Sequence, residues 1–104
     1  MSFWKSMEEL VNQGLNVSRE VLGKAKEKAM DLGDRGILKY EIMQLEKEAS
    51  NKFFELGTKV YEVLVKENKN TVSKSTPAVK ELILEIKKLE EAVNKKEEEL
   101  KNKN

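Results

Sequence analysis

The chain has 104 residues, 38% charged and 6% aromatic, with five Gly and one Pro; that length supports one core, and that composition suits long amphipathic helices rather than a turn-rich β-sandwich. Twenty basic and nineteen acidic side chains nearly cancel and stay interspersed, six of each sign in 1–36, six of each in 37–70, then eight basic and seven acidic in 71–104, so no segment carries the one-signed field that recruits nucleic acid or an anionic membrane. With neither Cys nor His, disulfides, thiolate zinc sites, a cysteine nucleophile and an imidazole general base are all excluded.

Residues 1–35 read as an N-terminal amphipathic helix, with Trp4, Met7, Val11, Leu15, Ser18, Leu22, Ala25, Ala29 and Leu32 three or four positions apart. Gly14 and Gly23 each cost a helix about 1 kcal/mol relative to Ala, which makes this the least stable of three expected helices. Gly33 suits its C-cap and Asp34 the N-cap of the next helix, although two glycines in residues 33–36 also permit one continuous helix. Such a segment can fold back as the third helix of a bundle or pair between chains. Alternatively Phe3, Trp4, Met7 and Val11 form a candidate anchor to a membrane surface or a partner helix, a reading that the balanced charge disfavours, or the segment stays a mobile tail. Glu8 and Glu9 interrupt any signal-peptide core. Apolar runs such as residues 63–65 fall far short of the ~20 residues of a membrane span. A cytoplasmic location is expected.

Residues 36–68 read as a second helix carrying Ile42, Leu45, Ala49, Phe53, Leu56, Val60 and Val63 in a row. The pattern repeats after eleven residues (Ile42 to Phe53, Leu45 to Leu56, Ala49 to Val60), the signature of a nearly straight helix. Met43, Phe54, Tyr61 and Val65 project to one side of that row, set off from it by Ser50 and Gly57. This gives the helix more apolar arc than one partner can cover, and makes those four residues the candidate interaction surface.

A polar stretch from Asn68 to Thr76 reads as a loop, short enough to return the chain antiparallel. The third helix spans about residues 77–101, opened by Thr76 as cap and Pro77 at its first position. Val79, Leu82, Ile86, Leu89, Val93, Lys96 and Leu100 follow a heptad row with one Lys interruption. From Lys95 onward the sequence is Lys, Glu and Asn around Leu100, and fraying is expected. The two arms should be rods on the order of 50 Å and 40 Å long at about 1.5 Å rise per residue.

Nothing in the chain assembles a reaction. Asp31 and Asp34, the only Asp residues, fall at a helix end, where they cap and solvate. Ser18, near Glu20 and Lys24, lacks the strand-to-helix elbow of a nucleophile. Gly33-Asp34-Arg35-Gly36 lacks the strand and the Lys-Ser/Thr ending of a phosphate loop. The expectation is a protein with no catalytic residues, cofactor or metal.

The opening Met1-Ser2-Phe3-Trp4-Lys5, the stretch Ala25-Lys26-Glu27-Lys28-Ala29, the core Leu45-Glu46-Lys47-Glu48, the segment Phe54-Glu55-Leu56-Gly57-Thr58-Lys59-Val60-Tyr61-Glu62 and the run Ile86-Lys87-Lys88-Leu89-Glu90-Glu91 resemble a group of small bacterial helical-hairpin proteins. Many of that group end in a zinc ribbon, whereas this sequence contains no cysteine pair. The resemblance implies a cytoplasmic bacterial coiled-coil protein without an assigned reaction. Together these readings predict an all-α chain, a long antiparallel hairpin (36–104) with an N-terminal amphipathic helix, packed as a three-helix bundle or in an oligomer. Its expected work is self-association or binding a partner helix, with a membrane surface as the alternative partner and no nucleic acid.

Overall fold

A computed structural model of the chain describes residues 2–12 and 19–102, apart from the side chains of residues 2, 11, 19–22, 25 and 29. Among the described residues there are four α-helices and no strand: α1 Ser2–Asn12, α2 Arg19–Asp31, α3 Asp34–Tyr61 with a π-helical extension Glu62–Lys66, and α4 Pro77–Asn102. The N-terminal third is described as α1 and α2, and the stretch between them, residues 13–18, lies outside the described residues, so the expected single helix is described only in these two parts. Of its predicted row, Leu15 and Ser18, together with the side chains of Val11, Leu22, Ala25 and Ala29, lie outside the described residues, as does Gly14.

The rows predicted for the two long arms meet in an antiparallel hairpin, within a body 52 × 28 × 18 Å. Ile42, Ala49 and Val63 of α3 and its extension are buried with Val79, Leu82, Ile86 and Val93 of α4. Leu45, Phe53, Leu56, Leu89 and Leu100 are half-buried around them. Leu38, one turn before Ile42 and absent from the predicted row, is buried too. Each of these side chains removes apolar area from water worth about 1.5–3 kcal/mol when fully buried, which is why the rows face one another. Lys96 interrupts the α4 row without being isolated, because its Nζ donates to Glu41 Oε2 across the hairpin at 2.8 Å. That hydrogen bond holds the Lys96 ammonium above its ordinary pKa. Nearer the loop, Lys52 bridges to Glu85 at 3.1 Å.

The turn at residues 33–36 is a break, not a continuous helix. Gly33 has φ 77°, a value that side chains on Cβ disfavour. Its amide donates to the Met30 carbonyl at 3.3 Å, and its own carbonyl accepts from the Ile37 amide at 3.0 Å. Gly33 thus closes α2 and also stands as the N-cap of α3, and Asp34, expected at that cap, is instead the first helical residue. Its carboxylate still suits the positive end of the helix.

The far end of the long arm widens into a π turn, with the Glu67 amide donating to the Glu62 carbonyl at 2.8 Å. Asn68 then adopts φ 54°, a conformation its short polar side chain tolerates. In the loop, Thr76 does not cap α4 through its side chain as expected, because its Oγ1 accepts from the Ser73 amide at 3.0 Å. The helix is started instead by the Thr76 carbonyl, which accepts from the Lys80 amide at 2.8 Å, with Pro77 as first residue. Nor does α4 fray at Lys95. It continues to Asn102 because Leu100 packs on the core and its carbonyl accepts from Arg35 Nη1 at 3.0 Å.

Candidate functional site

Helix α1 covers one end of the hairpin. Phe3 and Met7, 2% and 1% exposed, enter the cluster formed by Ile42, Ala49, Ile86 and Val93, and Leu10 packs beside them. The inward row is therefore Phe3, Met7 and Leu10, out of phase with the predicted Trp4, Met7 and Val11. Trp4 is 62% exposed and leans on Phe53 at the rim, ring centroids 5.6 Å apart and planes tilted by 34°. Of the candidate anchor, Phe3 and Met7 are thus turned into the protein and Trp4 faces out, while the side chain of Val11 lies outside the described residues.

One polar contact lies among these apolar ones. Ser6, a turn from Phe3 and from Leu10, donates its hydroxyl to the Glu46 carboxylate of α3. Burial pushes the Glu46 carboxyl above its ordinary pKa, the Ser6 hydrogen bond opposes that, and Glu97 of α4 and Glu9 of α1 push it further up. None of this is legible from periodicity, which places apolar faces but not the polar neighbours that cross between helices.

Helix α1 has 11 residues, about 16 Å, against 28 residues and about 42 Å for α3 alone. The candidate surface divides accordingly. Met43 is half-buried, whereas Phe54, Tyr61 and Val65 are 65%, 58% and 54% exposed. Tyr61 follows Phe54 by seven positions, so at about 100° per residue the two fall within roughly 20° of one line, and Val65 lies about one turn further on, in the π-helical extension. Gly57 adjoins that line, and a Cβ there would meet nothing within 4 Å. Leu64, also exposed, borders it. Ser50, one turn before Phe54, is fully buried with its Oγ donating to the Lys47 carbonyl at 2.7 Å, which marks where the covered part ends.

The open line offers apolar contact. Beside it, Thr58 donates its hydroxyl to the Phe54 carbonyl at 3.1 Å within the helix, and Lys59 pairs with Glu62 at 3.4 Å. Single exposed apolar residues are ordinary on protein surfaces, and here three of them follow one another along one side of the long arm. Elsewhere, an open groove of about 420 Å³ runs by Glu41, Glu48, Asn51 and Lys96, and its Lys96 is already committed to Glu41. Asp31 and Asp34 lie exposed on either side of Gly33. Among the described residues no group of three His, Cys, Asp or Glu is placed to hold a metal ion, and no described helix is long and apolar enough to cross a membrane. No protein-family model, curated protein or solved structure matches the chain.

Proposed function

We propose that this chain is a non-enzymatic interaction module that associates with a second copy of itself through Phe54, Tyr61 and Val65 on α3. The observation that carries this reading is the exposure of those three side chains along one side of α3 and its π-helical extension. A two-fold interface sets residue i of one copy against j of the other and j against i. The line has that self-complementary order. Phe54 and Tyr61 stand three positions to either side of the small pair Gly57 and Thr58, so two α3 helices crossing antiparallel there set Phe54 of each against Tyr61 of the other. Gly57 permits the close approach, and aromatic pairs add about 0.5–1.5 kcal/mol beyond the area they bury. The resemblance to bacterial helical-hairpin proteins fits the same reading, a cytoplasmic protein that works by association and not by reaction.

The test is a concentration series by analytical ultracentrifugation on the intact chain and on Phe54→Glu. Self-association of the intact chain that is abolished by Phe54→Glu supports the reading. A monomer throughout the micromolar range, or association indifferent to Phe54→Glu, rejects it.

A further inference from the structure

We propose that the charges beside the open line fix how two copies meet, so that their α3 helices cross antiparallel with Glu55 of each copy against Lys59 of the other. This rests on the self-association reading and adds the orientation of the partner. Along α3 and into its extension, Lys52, Glu55, Lys59 and Glu62 alternate in sign at intervals of three or four positions. Glu55 and Lys59 are exposed, and Lys52 and Glu62 half-buried. Two contacts tie them into pairs on the helix surface, Lys52 Nζ to Glu55 Oε1 at 4.0 Å and Lys59 Nζ to Glu62 Oε2 at 3.4 Å. At about 100° per residue Glu55, Lys59 and Glu62 fall within roughly 60° of one another, on the flank of the Phe54–Tyr61 line opposite Gly57.

The order of these charges has a centre. Glu55 and Lys59 lie two positions to either side of Gly57, and Lys52 and Glu62 lie five positions to either side of it. Phe54 and Tyr61 are centred between Gly57 and Thr58, half a position away. The two-fold axis of an antiparallel pair lays each flank beside the same flank of the other copy in reverse order. The crossing that sets Phe54 against Tyr61 therefore sets Glu55 against Lys59 and, further out, Lys52 against Glu62. Opposite charges meet at every step. A parallel crossing turns the two flanks to opposite sides and leaves these charges apart, so the pattern favours one direction, as flanking charges do in paired helices. The pairs within each helix can persist, because a carboxylate accepts from more than one donor and an ammonium has three protons to give. Lys52 is also held by Glu85 of α4 at 3.1 Å, so the test is placed on Glu55 and Lys59.

The experiment is sedimentation at about 0.15 M salt, where screening acts over about 8 Å, with circular dichroism on every sample. The samples are the intact chain, Phe54→Glu, Glu55→Lys, Lys59→Glu and an equimolar mixture of the two charge reversals. Each reversal sets like charges together twice in its own dimer, and should associate roughly tenfold more weakly than the intact chain. In the mixture the lysines of one chain meet the glutamates of the other at both contacts, and affinity should return to within about twofold of that of the intact chain. Each reversal also changes the charges within its own helix, but mixing cannot relieve that, so recovery reports contact between chains. Glu98→Lys, an exposed reversal on α4, should leave association unchanged. Association that is lost with Phe54→Glu but indifferent to both reversals overturns the antiparallel assignment and leaves the self-association reading standing. Reversals that weaken association without recovery in the mixture overturn it as well, and an intact chain that stays monomeric overturns both. Should either reversal lose helicity, Glu55→Gln decides: association weakened about threefold supports the assignment, and unchanged affinity overturns it.

Discussion

Phe53 and Phe54 are neighbours in sequence and belong to different environments. Phe53 is half-buried on the core, with Trp4 of α1 leaning on it, while Phe54 stands two-thirds in solvent. The difference divides the hairpin into two regions. At the base, α1 and α2 pack on α3, and α1 also reaches α4, so the surplus apolar arc of α3 is used within the chain. Toward the loop, the arc that continues through Phe54, Tyr61 and Val65 stands in solvent while α4 covers the opposite row. The same helix thus packs on α1 at one end and stands in solvent along the same side at the other.

Substitutions should act on the two regions differently. The largest loss is expected at Ile86→Ala, which empties a position where α1, α3 and α4 all contribute to the cluster. Removing such a buried side chain costs about 2–5 kcal/mol, read as a lowered midpoint in chemical denaturation. Met7→Ala removes packing of similar local size, but α1 can leave while the hairpin stands. The global midpoint should therefore fall by less than for Ile86→Ala, and Trp4 anisotropy should fall before helicity does. An equal fall for the two variants would show that α1 and the hairpin unfold as one unit.

Lys96→Ala should cost less than about 1 kcal/mol, because its ion pair with Glu41 is partly exposed and solvent screens it. The pair keeps Lys96 protonated to higher pH than a free lysine. Its small contribution is therefore present at neutral pH and is lost only as pH rises through the raised value of the folded chain. The smallest effect on monomer stability belongs to the outward line: Phe54→Glu and Tyr61→Glu should each stay within about 0.5 kcal/mol of the intact chain, measured where the protein is dilute enough to be monomeric.

Most of the hairpin is legible in the sequence because each arm has one long neighbour. A three-four row such as Val79, Leu82, Ile86, Leu89 and Val93 then has only one way to face inward. The eleven-residue repeat likewise assigns Phe53 to the core row and Phe54 to its flank, as the fold does. The N-terminal third is less legible for a physical reason. Phe3 and Trp4 are adjacent aromatics, and Leu10 and Val11 adjacent aliphatics, so two phases of a short helix fit the periodicity equally well. The docked helix takes the phase that buries Phe3 and Leu10. The sequence locates the caps at both junctions within a residue, but the groups that make them differ, since Gly33 takes the position expected of Asp34 and the Thr76 hydroxyl turns back to Ser73. The Ser6–Glu46 contact leaves no trace, because it depends on how three helices meet.

The most direct test of the division is sedimentation of three chains side by side over the micromolar range: the intact protein, Phe54→Glu from the open line, and Met7→Ala from the covered end. The expected result is association of the intact chain and of Met7→Ala, with Phe54→Glu monomeric and equally helical. Three monomers, or association lost with Met7→Ala and kept with Phe54→Glu, would contradict the assignment of the outward surface to the uncovered length of α3.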